Sequence, residues 1–568
     1  MGVFRTASLL LGALTVLRAL PGASAAPPSA QPARFDWFEY RGNDPAADGR
    51  GPGPGEYANP ILAGFYPDPS VTRVGDDYYL VTSTFGYFPG LPVFRSRDLV
   101  NWTQIGNAIN RPGQLDFTGV GLSGGLYAPM IKHHAGVFHI VNTCLGCGGN
   151  FLITARDPAG PWSDPVWIRD VGGIDPSLFI EPDGSAWLLN NDAPEGEPLY
   201  KGHRAIWIRR FDLKTMRTAG PAKMIVNGGV DISTEPIWVE GPHIFRHGGR
   251  YYLIAAEGGT GLGHSQTVYR ADRPDGPWTP YPRPILTQRD LPPDRPDPIT
   301  SAGHAAMVVT PKGEWWATFL ATRPYRGDFY NTGRETFLLP VRWRDGWPII
   351  TAPGQVIPRV HRRPDLALGP PAPVPMSGAF TARDEFDVPA LAPYWLTVRN
   401  PKARWHRVAG GALEITPRPE RIGEPAQPSY LARRQQHMNA SASTRLRFDA
   451  ATPGTKAGLV AYQNEAHYYF IGVVNDRGRR LVRVERRAGA GDPVDGVVLA
   501  AAPLQGSGPL RLRISARGGT YDFFYATGRG GWTSLLAGAD GTVLSTAAAG
   551  GFVGATIGMY AHAPGGRR

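Results

Sequence analysis

The chain has 568 residues, too many for one ordinary core, so two or more domains are expected. Hydrophobic residues make up 42% and charged residues 19%, which excludes a disordered chain, and 72 glycines and 56 prolines without a period exclude collagen. The net charge of +11 comes from scattered arginines, not a basic helix or stripe, which argues against a nucleic-acid partner and leaves attraction to acidic polymers as a weaker reading.

Residues 1–25 have the layout of a secretory signal. Arg5 supplies the positive start, "ASLLLGALTVL" the apolar stretch and "ASA" the small cleavage residues. The apolar stretch is too short to span a bilayer, and no other segment approaches the ~18 apolar residues that would. The mature protein is therefore expected to be soluble, free of the membrane and exported, periplasmic or extracellular. Residues 26–56 are rich in Pro, Gly and Ala around the aromatic island "FDWFEY", and are expected to form an extended segment packing on the domain that follows.

Residues 57–361 contain five segments of one design: an apolar approach, a polar residue near Pro or Gly, then an alternating aromatic strand. They are "YPDPSVTRVGDDYYLVTST", "YAPMIKHHAGVFHIVNT", "IDPSLFIEPDGSAWLLNN", "VEGPHIFRHGGRYYLIAAE" and "SAGHAAMVVTPKGEWWATFL". Each has a Gly- or Asp-bearing turn midway, the mark of a hairpin, and a further strand often follows. Five small antiparallel sheets predict a five-bladed β-propeller. In such a ring the starts of the innermost strands open on one shared funnel, so Asp68, Asp175, Glu240 and His304 are expected to converge. The two cysteines, Cys144 and Cys147 in "TCLGCGGN", have no second pair for a zinc site, which leaves a local disulfide or two free thiols.

The proline-dense stretch 362–379 forbids helix and weakens sheet pairing, as a linker would. Residues 380–564 then hold short alternating strands without helix signals, which predict a second all-β domain, a two-sheet sandwich.

Asp68 in "YPDPS", Asp175 in "GIDPS" and Glu240 in "WVEGPH" are acids held by rigid turns at strand ends. Apolar walls raise the pKa of one acid while a donor holds another ionised. Such a trio suits glycosidic hydrolysis, with inversion when two carboxyls stand about 6.5–9.5 Å apart and retention at about 5–5.5 Å. Groups on different blades favour the wider gap.

The motifs "NPILAGFYPDPS", "GGIDPSLF", "VEGPHIF", "AAEGGTGLGHS" and "NTGRETFLLPVRW" resemble glycoside hydrolase family 43 in its β-xylosidase branch, over residues 35–360. The region after 380 is similar to the concanavalin-like β-sandwich appended to many of those enzymes. The resemblance implies an inverting enzyme with Asp68 as general base, Glu240 as general acid and Asp175 orienting Glu240 and keeping its pKa high. Tyr87 and Phe88 in "GYFPG" are either an apolar platform under a sugar or packing aromatics. Arg334 is either a donor to sugar hydroxyls or the partner of an acid, and Thr260 is a rim contact. His304 contacts sugar or, through water, a structural calcium at the propeller axis, although calcium prefers oxygen ligands. No cofactor is required. The implied substrate is a xylo-oligosaccharide or an arabinose-containing glycan, cleaved as a β-xylosidase or an α-L-arabinofuranosidase. A non-catalytic sugar-binding protein is the alternative from another class, and the presence of all three acids weighs against it. For the C-terminal domain, bracing of the pocket is favoured over binding of polymer.

Overall fold

A computed structural model describes Gly2 and residues 31–45, 49–506 and 508–565. Apart from Gly2, the expected leader lies outside the described residues. Sheet dominates. Among the described residues the helical elements are one short α-helix, Thr546–Ala549, and two 3-10 turns.

Five antiparallel sheets form the propeller blades. Their innermost strands are Ser70–Val74, Met130–His134, Ile174–Ile180, Glu240–His247 and Thr300–Val309. Apolar residues alternate along them and pack blade against blade, as in the cluster of Ile254, Val268, Phe319 and Phe337 between blades four and five. The ring closes where the last innermost strand packs beside the first. A clasp reinforces the closure: Ile61 and Leu62 donate their N–H groups to the Thr336 carbonyl, and the Asn59 side-chain amide bonds both ways with the Leu338 backbone. Glu56–Ala58 pairs with Val360–Arg362 at the same seam.

The second domain is a sandwich of two eight-stranded sheets around a core that includes Phe35, Leu446, Ile471, Leu512 and Met559. Its membership differs from the sequence reading in two places. The N-terminal strand Ala33–Gly42 does not lie along the propeller. It runs inside one sandwich sheet, between Leu413–Ile415 and Asn439–Arg447, with Phe35, Phe38 and Tyr40 in the core. Its alternating aromatics need a buried face, and a sheet on the far side of the propeller in sequence supplies it. The other sheet ends in Tyr87–Phe88, which leaves the first blade to pair with Leu396–Val398. The propeller thus lends one strand to the sandwich. The 362–379 stretch holds no strand between Arg362 and Phe380 and is bonded to the propeller, with Gly369 N–H on Asp98 at 2.9 Å and Ala63 N–H on the Met376 carbonyl at 2.8 Å.

A buried ion cluster ties the N-terminal segment to the fifth blade. Arg323 meets Glu335 at 2.6 and 2.9 Å and Asp44 at 3.0 Å, all three side chains being almost wholly inaccessible. Asp44 in turn accepts the N–H groups of Met438 and Asn439 from the sandwich. Charges removed from water this completely stabilise only as a complete set.

Candidate active site

A cavity of ≈ 700 Å³ opens at the funnel end of the propeller. Asp68, Asp175, Glu240, Thr260, His304 and Arg334 all line it, though they come from four blades. The convergence follows from the ring: each acid sits at the entry to an innermost strand, and all those entries face one end.

Backbone conformation aims three of these side chains. Asp68, Asp175 and His304 have φ of 56, 55 and 51°, in the left-handed region that non-glycine residues avoid. Residues held there cost of order 1–3 kcal/mol each and persist where the surroundings over-determine them. Gly241 also has positive φ, and a Cβ there would come within 2.9 Å of the His304 ring, so His304 packs directly on the backbone beside Glu240.

Each acid has its own partners. Asp68 accepts from the Ser83 hydroxyl at 2.5 Å and from Arg334 at 3.1 Å. Arg334 also donates to Thr260 Oγ1 at 3.0 Å, so it answers to an acid as well as facing the cavity. Glu335, its neighbour, is committed to Arg323 instead. Asp175 accepts the backbone N–H of Gly241 at 3.0 Å. Burial pushes the Asp175 carboxyl up to about 6; the Asp68 charge adds to this, while His304, the Gly241 amide and Arg334 oppose it. Glu240 is raised well above the ordinary glutamate range, first by burial, then by the charges of Asp175 and Asp68, against Arg334. Glu240, driven to keep its proton, therefore shares the cavity with Asp68, which Arg334 and Ser83 hold in place. Acid catalysis needs that division.

Tyr87 and Phe88 do not form a platform. Both are buried away from the cavity: Tyr87 packs on Phe65 at 5.3 Å, and their strand is held in the sandwich sheet. The aromatic wall comes from residues the sequence reading did not select. Phe85, two positions earlier, stacks with Phe552 at 5.9 Å, and Tyr127 meets both rings edge-on. The Arg334 guanidinium lies 5.6 Å from the Phe85 ring and 5.3 Å from that of Phe552. Phe552 belongs to the sandwich, so the second domain completes the wall. Trp238, two residues before Glu240, adds a further ring with Arg204 4.2 Å above it. Leu145, exposed at the rim, adjoins the disulfide that Cys144 makes with Cys147.

The donor set does not fit a directly bound calcium. That ion takes six to eight oxygens. Among the described residues no three His, Cys, Asp or Glu side chains gather as a metal site, and the acids nearest His304 are engaged with Arg334, Ser83 and Gly241.

A five-bladed propeller whose funnel holds three carboxylic acids, one of them driven to keep its proton, is the architecture of a glycoside hydrolase. Comparison with known proteins makes the assignment particular: residues 57–348 match the model of glycosyl hydrolases family 43, and residues 383–568 match the beta xylosidase C-terminal concanavalin A-like domain. The chain belongs to glycoside hydrolase family 43. It is 36% identical to a xylosidase/arabinosidase of Butyrivibrio fibrisolvens over 89% of this chain and 96% of that protein. It is also 36% identical to a non-reducing end alpha-L-arabinofuranosidase of Bacteroides ovatus, over 90% and 92%. A family member retrieved from a capybara gut metagenome has a crystal structure that superimposes with a TM-score of 0.87 at 38% identity, covering 94% of this chain and all of that one.

Proposed function

We propose that the chain is an exo-acting, inverting β-xylosidase that releases xylose from the non-reducing ends of xylo-oligosaccharides. The observation that carries this is the pairing of a proton-retaining Glu240 with an Asp68 fixed by Arg334 and Ser83 in one sugar-sized cavity. Glu240 gives its proton to the glycosidic oxygen as the bond to the anomeric carbon breaks. Asp68 takes a proton from the water that attacks the opposite face of that carbon. The configuration at the carbon inverts, and solvent then restores both carboxyls. Asp175 positions Glu240 through the Gly241 amide and disfavours its ionisation. Arg334 and Thr260 are the donors offered to sugar hydroxyls, and His304 borders the ring site.

α-L-Arabinofuranosidase activity is the second reading, alone or beside the first, because similar relatives are named for arabinosidase as well as xylosidase action. Release of nitrophenol from the β-xyloside against the α-arabinofuranoside separates the two, and NMR of the first-formed sugar anomer tests inversion. Retention of configuration overturns the assignment of Asp68 as base. The reading uses no metal, and chelation with EGTA is expected to leave turnover unchanged. Loss of turnover that calcium restores would instead assign His304 a hydrated cation. Export directed by residues 1–25 belongs to the same proposal, and N-terminal sequencing of the protein recovered outside the cytoplasm tests it.

A further inference from the structure

The sandwich sheet that contains Ala33–Gly42 turns one face to the core and the other to solvent. Along Asn439–Arg447 the residues pointing outward are Asn439, Ser441, Ser443, Arg445 and Arg447; along Leu510–Arg517 they are Arg511, Arg513, Ser515 and Arg517. Arg445 lies directly across from Arg511, and Ser443 across from Arg513. Like charges directly opposed in a sheet are destabilising. Among the described residues one carboxylate answers the pair of arginines on the first strand: Asp36 meets Arg445 at 2.5 Å and Arg447 at 3.1 Å.

Arg511 and Arg513 have no carboxylate within ion-pairing distance among the described residues; Asp522, which is paired with Arg517, attracts Arg513 from further off. Rings brace both, and Arg511 also donates to the Gly530 carbonyl. Arg513 lies 4.3 Å from the Phe524 ring and 4.6 Å from that of Trp532, and Arg511 lies 5.3 Å from Trp532. The Nε–H of each is buried without an acceptor. Toward the other end of the same face runs a shallow groove of ≈ 570 Å³, lined by Asn43, Asn439, Ser441 and Ser515 with Arg41 and Arg517, which are paired with Glu39 and Asp522 and leave the unpaired charge to Arg511 and Arg513. Its end lies by the propeller, where the Gly518–Gly519 turn touches Tyr325.

We propose that this face is a docking surface for an acidic polysaccharide, one whose sugars carry uronate carboxylates. Guanidinium groups bind carboxylates by paired, charge-assisted hydrogen bonds, and rings hold these arginines at low entropic cost. The hydroxyls and amides of the groove offer donors and acceptors to neutral sugar hydroxyls between the charges. From Ser441 to Arg447 the strand runs about 20 Å, long enough for a chain of several sugars. Docking there holds an acidic glycan on the enzyme beside the domain whose cavity cleaves chain ends. This site is separate from the catalytic cavity and does not depend on which glycoside is cleaved.

The test is affinity electrophoresis of the full chain in gels containing polygalacturonate, glucuronoxylan or neutral arabinoxylan, at low and high salt. Retardation by the two acidic polymers, abolished by salt, is expected. The double variant Arg511→Gln, Arg513→Gln is expected to bind them about tenfold more weakly with a melting temperature no lower than the parent's, since the opposed Arg445 loses its like-charged neighbour. Arg283→Gln with Arg344→Gln removes the same charge from exposed propeller positions and is expected to bind as the parent does. Equal weakening in both double variants, equal retardation by neutral arabinoxylan, or tighter binding to single-stranded DNA would each overturn the proposal.

Discussion

Asp175 accepts the backbone amide of Gly241, the residue after Glu240, at 3.0 Å. The bond joins the third blade to the fourth and grips the catalytic strand one residue from the acid. Asp175 therefore acts twice, by position and by charge. Replacing it with Asn keeps the size and removes the charge. Turnover needs Glu240 protonated, so activity falls as pH rises through the Glu240 pKa. Without the Asp175 charge that pKa drops, and the alkaline limb of the kcat profile moves to lower pH. Turnover at the optimum is expected to fall about 10²-fold or more. An unmoved alkaline limb would show that Asp175 acts through position alone.

Glu240→Gln is expected to abolish hydrolysis and to stabilise the fold at neutral pH. The sign follows from linkage. Glu240 has a folded pKa above its unfolded value, so between the two the folded chain must take up a proton that the unfolded chain lacks. This penalty is absent below the unfolded pKa and grows as pH rises through that window. The glutamine variant carries no such penalty. Thermal melts of parent and variant are expected to agree near pH 4 and to separate toward pH 7, with the variant higher. The trade of stability for function is common at active sites.

The acids were legible in the sequence because each announces its place locally. A Pro or Gly neighbour marks a turn, and an alternating strand follows, so five repeats of the pattern give both the ring and its shared mouth. The aromatic wall was not legible, because no local signal separates Phe85 from Tyr87. That choice is made by Leu396–Val398, which draws Tyr87–Phe88 into a remote sheet and leaves Phe85 facing the cavity. Phe552 sits in a Gly-rich loop of the other domain, and only the packing of one domain on the other brings it to Arg334. The strand Ala33–Gly42 likewise shows its alternation but not its sheet, since strand order is set by non-local pairing.

Phe552→Ala tests the contribution of the sandwich to the cavity. Its ring stacks on Phe85 and lies over Arg334, so its loss frees Arg334 to leave Asp68 and admits water to one wall. The expected result is a drop of about tenfold or more in kcat/KM, the scale of a lost aromatic contact in a desolvated site, with a melting temperature near that of the parent. Truncation after residue 379 is a harsher change: it strips Ala33–Gly42 and Tyr87–Phe88 of their sheet partners and is expected to yield insoluble protein. A soluble, active truncated chain would show that the wall is dispensable.

Arg323→Ala tests the weld between the N-terminal segment and the fifth blade. The substitution leaves Glu335, which is wholly inaccessible, without its two guanidinium bonds and strips Asp44 of its cation. Breaking a buried pair from one side costs about 3–5 kcal/mol, because the remaining charge stays out of water. Arg323→Met with Glu335→Met removes both long charged partners and is expected to recover much of that loss, since apolar groups of similar length can fill the same space. Chemical denaturation of the single and double variants measures the difference. The midpoint of the double variant should lie above that of Arg323→Ala, whereas a lower midpoint would mean that Asp44 and the sandwich amides it accepts depend on Glu335 as well as on Arg323.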